Sequence, residues 1–196
     1  YFSGERNFDS STTSPISNNP FIQNTDKIDA RDIKISEVEK SHYAIAQKIK
    51  QLLMADAVPQ SASGISADDV GVQLRVNSDI MFRHGSVDLL PEGEKVLEAV
   101  LKLMEEYNLY LVVRGHADSG ETAPPYTSAW ELSGARASAM VNYLVQHGVK
   151  ATRMRAVSYG DTRPLKPGID EQSRAMNRRV EFFFHRPEVM SYSVVY

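Results

Sequence analysis

The chain has 196 residues, 42% of them hydrophobic and 24% charged, with a net charge of -3. That supplies one core plus an appendage, and too little positive charge for a nucleic-acid or anionic-membrane surface. The absence of cysteine excludes disulfides, cysteine-based zinc sites and thiol nucleophiles, and no apolar run approaches the ~20 residues of a membrane-spanning helix.

Residues 1–34 read as a flexible polar linker. Ser, Thr and Asn dominate its first part, Pro15 and Pro20 interrupt it, and too little apolar surface is present to offset ordering entropy. The pattern changes over 35–67, where an N-terminal helix followed by a linker is expected. Val38, His42, Ile45, Ile49 and Leu52 recur at spacings of four and three, forming one stripe on a helix over 35–54. Such a stripe either docks on its own domain or forms a dimer seam, and it is too short to establish a coiled coil. Pro59 and the Ser/Gly/Ala stretch over 60–67 complete the expected linker.

The main domain is expected over 68–186, with 187–196 as a C-terminal tail. Val70 to Asn77 alternates as a strand with one buried face does. Residues 91–106 follow as a helix with Val96, Leu97, Val100, Leu101 and Met104 on one side. Pro91 suits its first turn, and Glu92 and Glu94 suit its positive end. Leu109 to Arg114 is a compact apolar strand that ends at Gly115. Ser128 and Glu131 then stand three apart, the reciprocal arrangement that caps a helix start, before a run to about 147 that Gly148 stops. A strand is expected over 153–158, with Met154 and Ala156 on one side. Gly160, Pro164, Pro167 and Gly168 mark a loop, and a short helix covers 170–177. In the last strand Val180, Phe182 and Phe184 alternate with Arg179, Glu181 and His185. Helices recurring between strands need crossover connections. The expected fold class is therefore an α/β (α+β) two-layer sandwich, a small mixed sheet with helices on one face.

Two residues stand out chemically. Asp118 follows a strand end in Gly115-His116-Ala117-Asp118-Ser119-Gly120, and Arg136 sits two turns into the next helix. A crossover brings such a loop and helix face together, which leaves an acid and a base at a sheet rim. The bland alternative is a surface ion pair worth about 0–1 kcal/mol.

Three blocks extend this pair. Gly115-His116-x-Asp118, then Trp130-Glu131-Leu132-Ser133-x-x-Arg136-Ala137, then Asn177-Arg178-Arg179-Val180-Glu181 together resemble the OmpA C-terminal family. The resemblance covers about residues 70–186. Within it, the stretches Tyr126 to Ser133 and Ile80 to Leu89 are similar to the periplasmic part of flagellar stator B subunits, the MotB/PomB group. The resemblance implies an OmpA-like fold and non-catalytic peptidoglycan binding through the meso-diaminopimelate of the stem peptide. The far end of that ligand carries an ammonium and a carboxylate on one carbon. Asp118 would take the ammonium, Arg136 would grip the carboxylate with two parallel hydrogen bonds, and amides at the start of the 128–147 helix would add donors. Phe82, Ala117, Leu132 and Arg179 are candidate secondary contacts. A structural role is the alternative for Phe82 and for each of Asn177, Arg178 and Arg179. Ala117 and Ala129 depart from the family's usual Thr and Asn, which removes one candidate hydrogen bond.

The same resemblance implies a motility and chemotaxis setting in the periplasm and a homodimer. It also implies a membrane-embedded stator A subunit as partner, and an inner-membrane anchor formed by a single upstream transmembrane helix. A general OmpA/Pal-type or secretion-system wall tether is the alternative. No cofactor, metal or nucleic-acid partner is expected. Ser133, His116 and Asp118 are the residue types of a hydrolase triad, yet no nucleophile elbow is present and His116 and Asp118 share one short loop. His84, His116 and nearby acids show no ligand pair at helical or hairpin spacing.

Overall fold

The computed structural model describes residues 37–187, with side chains from Lys40 onward. The expected linker over 1–34, the Val38 side chain and nearly all of the expected tail lie outside them. In chain order the elements are α1 (Glu37–Ala55), a 3-10 turn (Gln60–Ala62), β1 (Ser63–Ala67), β2 (Gly71–Asn77), α2 (Ser78–Met81) and α3 (Pro91–Glu106). Then come β3 (Tyr110–His116), α4 (Ala129–Gln146), a second 3-10 turn (Ala151–Arg153), β4 (Met154–Ser158), α5 (Glu171–Asn177) and β5 (Arg179–His185). The five strands form one sheet in the order β1-β2-β5-β3-β4. Strands β3 and β4 run parallel, and the other neighbours are antiparallel.

Helices α1, α3 and α4 cover one face of this sheet. Val72, Leu74 and Val76 of β2, Leu111 and Val113 of β3, and Val180, Phe182 and Phe184 of β5 form one buried cluster with them. Ile45, Ile49 and Leu53 of α1 join that cluster, while Leu52 is only half-buried. The α1 stripe is therefore spent on its own domain, at about 1.5–3 kcal/mol for each buried aliphatic side chain. His42, also buried, places Nδ1 2.7 Å from the Asp68 carbonyl, and Lys48 pairs with Glu106 of α3 at 2.7 Å. In α3 the stripe is as read, except that Leu103 is fully buried where Leu101 is half-buried.

One expectation is corrected. The stretch 60–67 is not a linker, because 63–67 adds β1 to the sheet edge, with Ile65 opposite Leu74. A main-chain ladder needs no large side chains, so a run of small residues forms it as readily as a loop. Asp68 then turns the chain, its Oδ1 accepting from the amides of Val70 and Gly71 at 2.9 Å each. In β4, an edge strand, Met154 and Ala156 share one side as read, Met154 buried and Ala156 exposed.

Strand β5 lies between β2 and β3 and is buried along its whole length. Arg179, Glu181 and His185 do point away from the helix-covered core. Longer neighbours shield them, as where Arg114 lies 4.8 Å over the Phe183 ring. Helix α4 packs directly on β3, since a side chain on Gly115 would run into the Ser133 backbone. That close fit brings the end of β3, the end of β4 and the start of α4 to one rim.

Candidate functional site

A pocket of about 680 Å³ opens on this rim. Its wall comes from the 116–121 loop after β3, the 160–168 loop after β4, His84, and the α5 region. Both signs of charge line it, with Asp118, Glu121, Asp161 and Glu171 facing Arg163, Arg174 and Arg178. The half-buried Asp118 is fixed by its own turn. Its Oδ1 accepts from the Gly120 amide at 3.0 Å, and its carbonyl accepts from the Glu121 amide at 3.0 Å. Among the described residues no cation pairs with the Asp118 carboxylate, which is left facing the pocket.

Arg136 does not line the pocket and does not meet Asp118. It is 1% exposed. Its Nε donates to the Ser86 carbonyl at 3.0 Å, its Nη2 donates to Glu121 Oε1 at 2.6 Å, and its guanidinium lies 5.1 Å over the Phe82 ring. The 118–121 turn rolls Asp118 outward and Glu121 inward, so the acid three residues on takes the arginine. Glu121 Oε2 and Arg136 Nη1 are both buried with no hydrogen-bond partner. Gly85 makes this closure possible. At φ +66° it lets the 83–88 turn cover the loop, and a side chain there would press on Ala123 and on the Glu121 carbonyl.

His116 lines the pocket and is stacked on Tyr159 at 5.1 Å. Burial pushes its pKa below the ordinary value, while the neighbouring Glu181 carboxylate pulls it back up. Burial alone would push Glu181 up. Arg179 Nε at 2.8 Å and the His116 ring at 3.7 Å outweigh it and hold the carboxyl at about 2.

The Asn177-Arg178-Arg179 block builds the wall. Asn177 Oδ1 accepts from the amides of Leu165 and Lys166 at 2.8 and 3.1 Å, and its Nδ2 donates to the Lys166 carbonyl at 2.9 Å. One side chain thereby fixes the 160–168 loop. Arg178 donates to both Asp79 oxygens at 3.1 and 2.8 Å and to Glu171 at 2.6 Å, which ties α2 to α5. Asp79 is the main cause of its raised pKa. Arg179 bonds Glu181 and does not line the pocket.

Of the other sequence candidates, Ala117 lines the pocket, and its amide donates to the Gly160 carbonyl at 2.9 Å. Leu132 is wholly buried beside Ala117 and Ala129, and Phe82 serves as the platform under Arg136. Neither lines the pocket. Ser128 Oγ caps α4 by accepting from the Glu131 amide at 3.2 Å. Glu131 answers one residue earlier than the reciprocal pattern, with Oε2 accepting from the Thr127 amide and hydroxyl at 2.6 and 2.8 Å. The first turn of α4 does not line the pocket either, so its amides are not donors there. Ser133 Oγ is engaged by Ser158 Oγ at 2.7 Å and by the Gly160 amide at 3.0 Å.

Sequence reasoning missed Glu121, Ser86 and Gly85. The one available signal was an acid directly after Gly120, which closes the loop that holds Asp118. Asp79, His84 and Glu121 each place a donor atom within 4.8 Å of the others, the geometry of a candidate metal cluster. Arg178 holds Asp79 of this cluster and Arg136 holds Oε1 of Glu121, so both of its acids already face a guanidinium.

The OmpA family model matches residues 81–178, half of the chain. The peptidoglycan-associated lipoprotein of Pseudomonas aeruginosa is 40% identical over 108 residues, covering 55% of this chain and 62% of that protein. This chain thus spans less than two-thirds of the lipoprotein's length. Among solved structures, a putative MotB-like protein from Desulfovibrio vulgaris superposes with a TM-score of 0.70 at 25% identity, covering 76% of this chain and 97% of that one. The cell wall anchor of the type VI secretion system from Pseudomonas aeruginosa gives 0.63 at 25% identity, covering 68% and 94%. No helix among the described residues is long and apolar enough to cross a membrane.

Proposed function

This chain belongs to the OmpA family, and from that premise we propose that it is a non-catalytic peptidoglycan-binding module. It grips the zwitterionic end of stem-peptide diaminopimelate, with Asp118 on the ammonium and Arg136 on the carboxylate. The observation that carries this reading is the Asp118 carboxylate, held in a fixed turn without a cationic partner at the mouth of a pocket lined by both signs of charge. An ammonium supplies the missing partner, and a charge-assisted hydrogen bond in a partly enclosed site is about twice as strong as a neutral one.

The assembly that this module anchors is, on this proposal, a flagellar stator of the MotB type. The Desulfovibrio match covers 76% of the chain, whereas the family segment spans half of it, so it takes in elements outside that segment. A homodimer working with a membrane-embedded stator A subunit, placed in the periplasm and tethered to the inner membrane by a segment upstream of residue 1, completes the proposal. The lipoprotein and the secretion-system anchor favour a second reading, a general wall tether on the same domain.

Purified chain incubated with isolated sacculi tests the binding. Wild type should sediment with the wall, free meso-diaminopimelate should release it, and Asp118→Asn should stay in the supernatant. Equal sedimentation of wild type and Asp118→Asn, both indifferent to diaminopimelate, would end the proposal. Swapping the domain into a motile host's stator subunit separates the two readings, since only the first predicts restored swimming.

A further inference from the structure

We propose that Glu121 is an internal latch on Arg136, a carboxylate that occupies the ligand carboxylate's place and must leave before the ligand can bind. This rests on the reading of Asp118 and Arg136 as the two charged ends of the wall site.

Position is the first support. Glu121 lines the pocket and Arg136 does not, so the Glu121 side chain separates the guanidinium from the space a ligand enters. The second support is the incompleteness of the pair. A carboxylate that fully engages an arginine makes two parallel hydrogen bonds. Here one forms at 2.6 Å, while Glu121 Oε2 and Arg136 Nη1 stay buried and unpartnered. Orphaned buried polar atoms weaken a closed contact, and a ligand carboxylate seated in the two-bond geometry would satisfy Nη1 as well.

The third support is that Arg136 does not depend on Glu121 for its placement. The Ser86 carbonyl holds Nε and the Phe82 ring lies under the guanidinium, so the anchor stays aimed when the latch opens. The departing carboxylate also has a destination. Exposed Ser119 and Gly120 precede it, and a His84 ring nitrogen lies within 4.8 Å of one of its oxygens. Asp79 in the same cluster is already neutralised by Arg178.

A tethered competitor acts at an effective concentration in roughly the millimolar range. Wild-type affinity is then the open-site affinity reduced by the open fraction, and removing the competing charge recovers that fraction. Isothermal titration of the full chain with meso-diaminopimelate reads this directly. Glu121→Gln should bind about tenfold more tightly than wild type, with Asp118→Asn weaker than both. Weaker or unchanged binding by a Glu121→Gln chain of undiminished melting temperature overturns the latch.

Failure of the underlying site looks different, because Asp118→Asn would then bind as wild type does whatever Glu121 becomes. Should Arg163→Ala abolish binding while a folded Arg136→Ala retains it, the carboxylate sits on Arg163 and the latch is again overturned. A wild-type measurement guards against misfolded variants. Saturating diaminopimelate should shift the amide resonances of 119–123 together with the Arg136 Nε–H signal. A shift at Asp118 alone, with Arg136 unmoved, refutes the proposal.

Discussion

Arg178 shows how much of this rim rests on single side chains. It is buried, yet it bridges Asp79 on one side and Glu171 on the other. Arg178→Ala leaves Asp79 without its cation, Glu171 keeping only Arg174, and frees α2 from α5, and a loss of about 1–3 kcal/mol is expected in urea denaturation. Because Arg178 also lines the pocket, sacculus binding should fall with it. Stability equal to wild type would show that the bridge is ornamental. Gly85 makes a second case, since its φ of +66° and the Ala123 and Glu121 contacts both oppose a side chain. Gly85→Ala should cost about 1–2 kcal/mol, read as a lower melting temperature. Asp118 could be singled out from sequence because strand ends and Gly-rich loops expose what they carry. The partner of Arg136 could not. Whether Asp118 or Glu121 faces inward depends on how one turn rolls, and three residues of spacing do not encode that.

Among elements, α1 and α3 were legible because each repeats its apolar residues at helical intervals and buries that stripe, and α4 because Ser128 with Glu131 marks its start and Gly148 its stop. The β1 strand was not legible. Ser63-Gly64-Ile65-Ser66-Ala67 has one large apolar residue, and its pairing with β2 is made by backbone alone. For the same reason α1 was set outside the main domain over 68–186, although it closes the core over β1, β2 and α3. Ile49→Ala should therefore destabilise the whole domain by about 2–5 kcal/mol, seen as a lower midpoint in a single cooperative unfolding transition. A midpoint left unchanged would restore the picture of an appended helix. The cap of α4 is a smaller matter, and Ser128→Ala should remove about 1 kcal/mol.

At the scale of the whole molecule, the open face of the sheet stores a dependence on pH. Burial lowers the pKa of His116 and of His185 below 6.5, with Glu181 pulling His116 the other way and Arg179 and Arg114 adding to its shift. The unfolded chain then binds more protons than the folded one below that value. Stability is complete above pH 6.5 and is lost as the pH falls toward the folded values. The slope is at most about 1.4 kcal/mol per pH unit for each ring. Glu181, held at about 2 against an ordinary 4.5, extends the loss into stronger acid. Urea midpoints measured between about pH 5 and 7 should decline toward acid, and His116→Gln should flatten the curve. A midpoint indifferent to pH in that window would contradict the burial argument. The sheet's overall layout was readable from helices alternating with strands, whereas the burial of these polar residues was not. They are covered because β5 runs down the middle of the sheet.

That middle place has a consequence for how the polypeptide is born. Residues 179–185, the last strand described, join two halves of the sheet that otherwise share no hydrogen bonds, β1 with β2 and β3 with β4. While a ribosome is still making residue 178, neither half has a partner, and the nascent chain has no finished sheet to fold into. Such a chain cannot close its sheet until β5 itself has emerged. A stop codon placed just before β5 should yield a product that proteases clear, not a shorter domain.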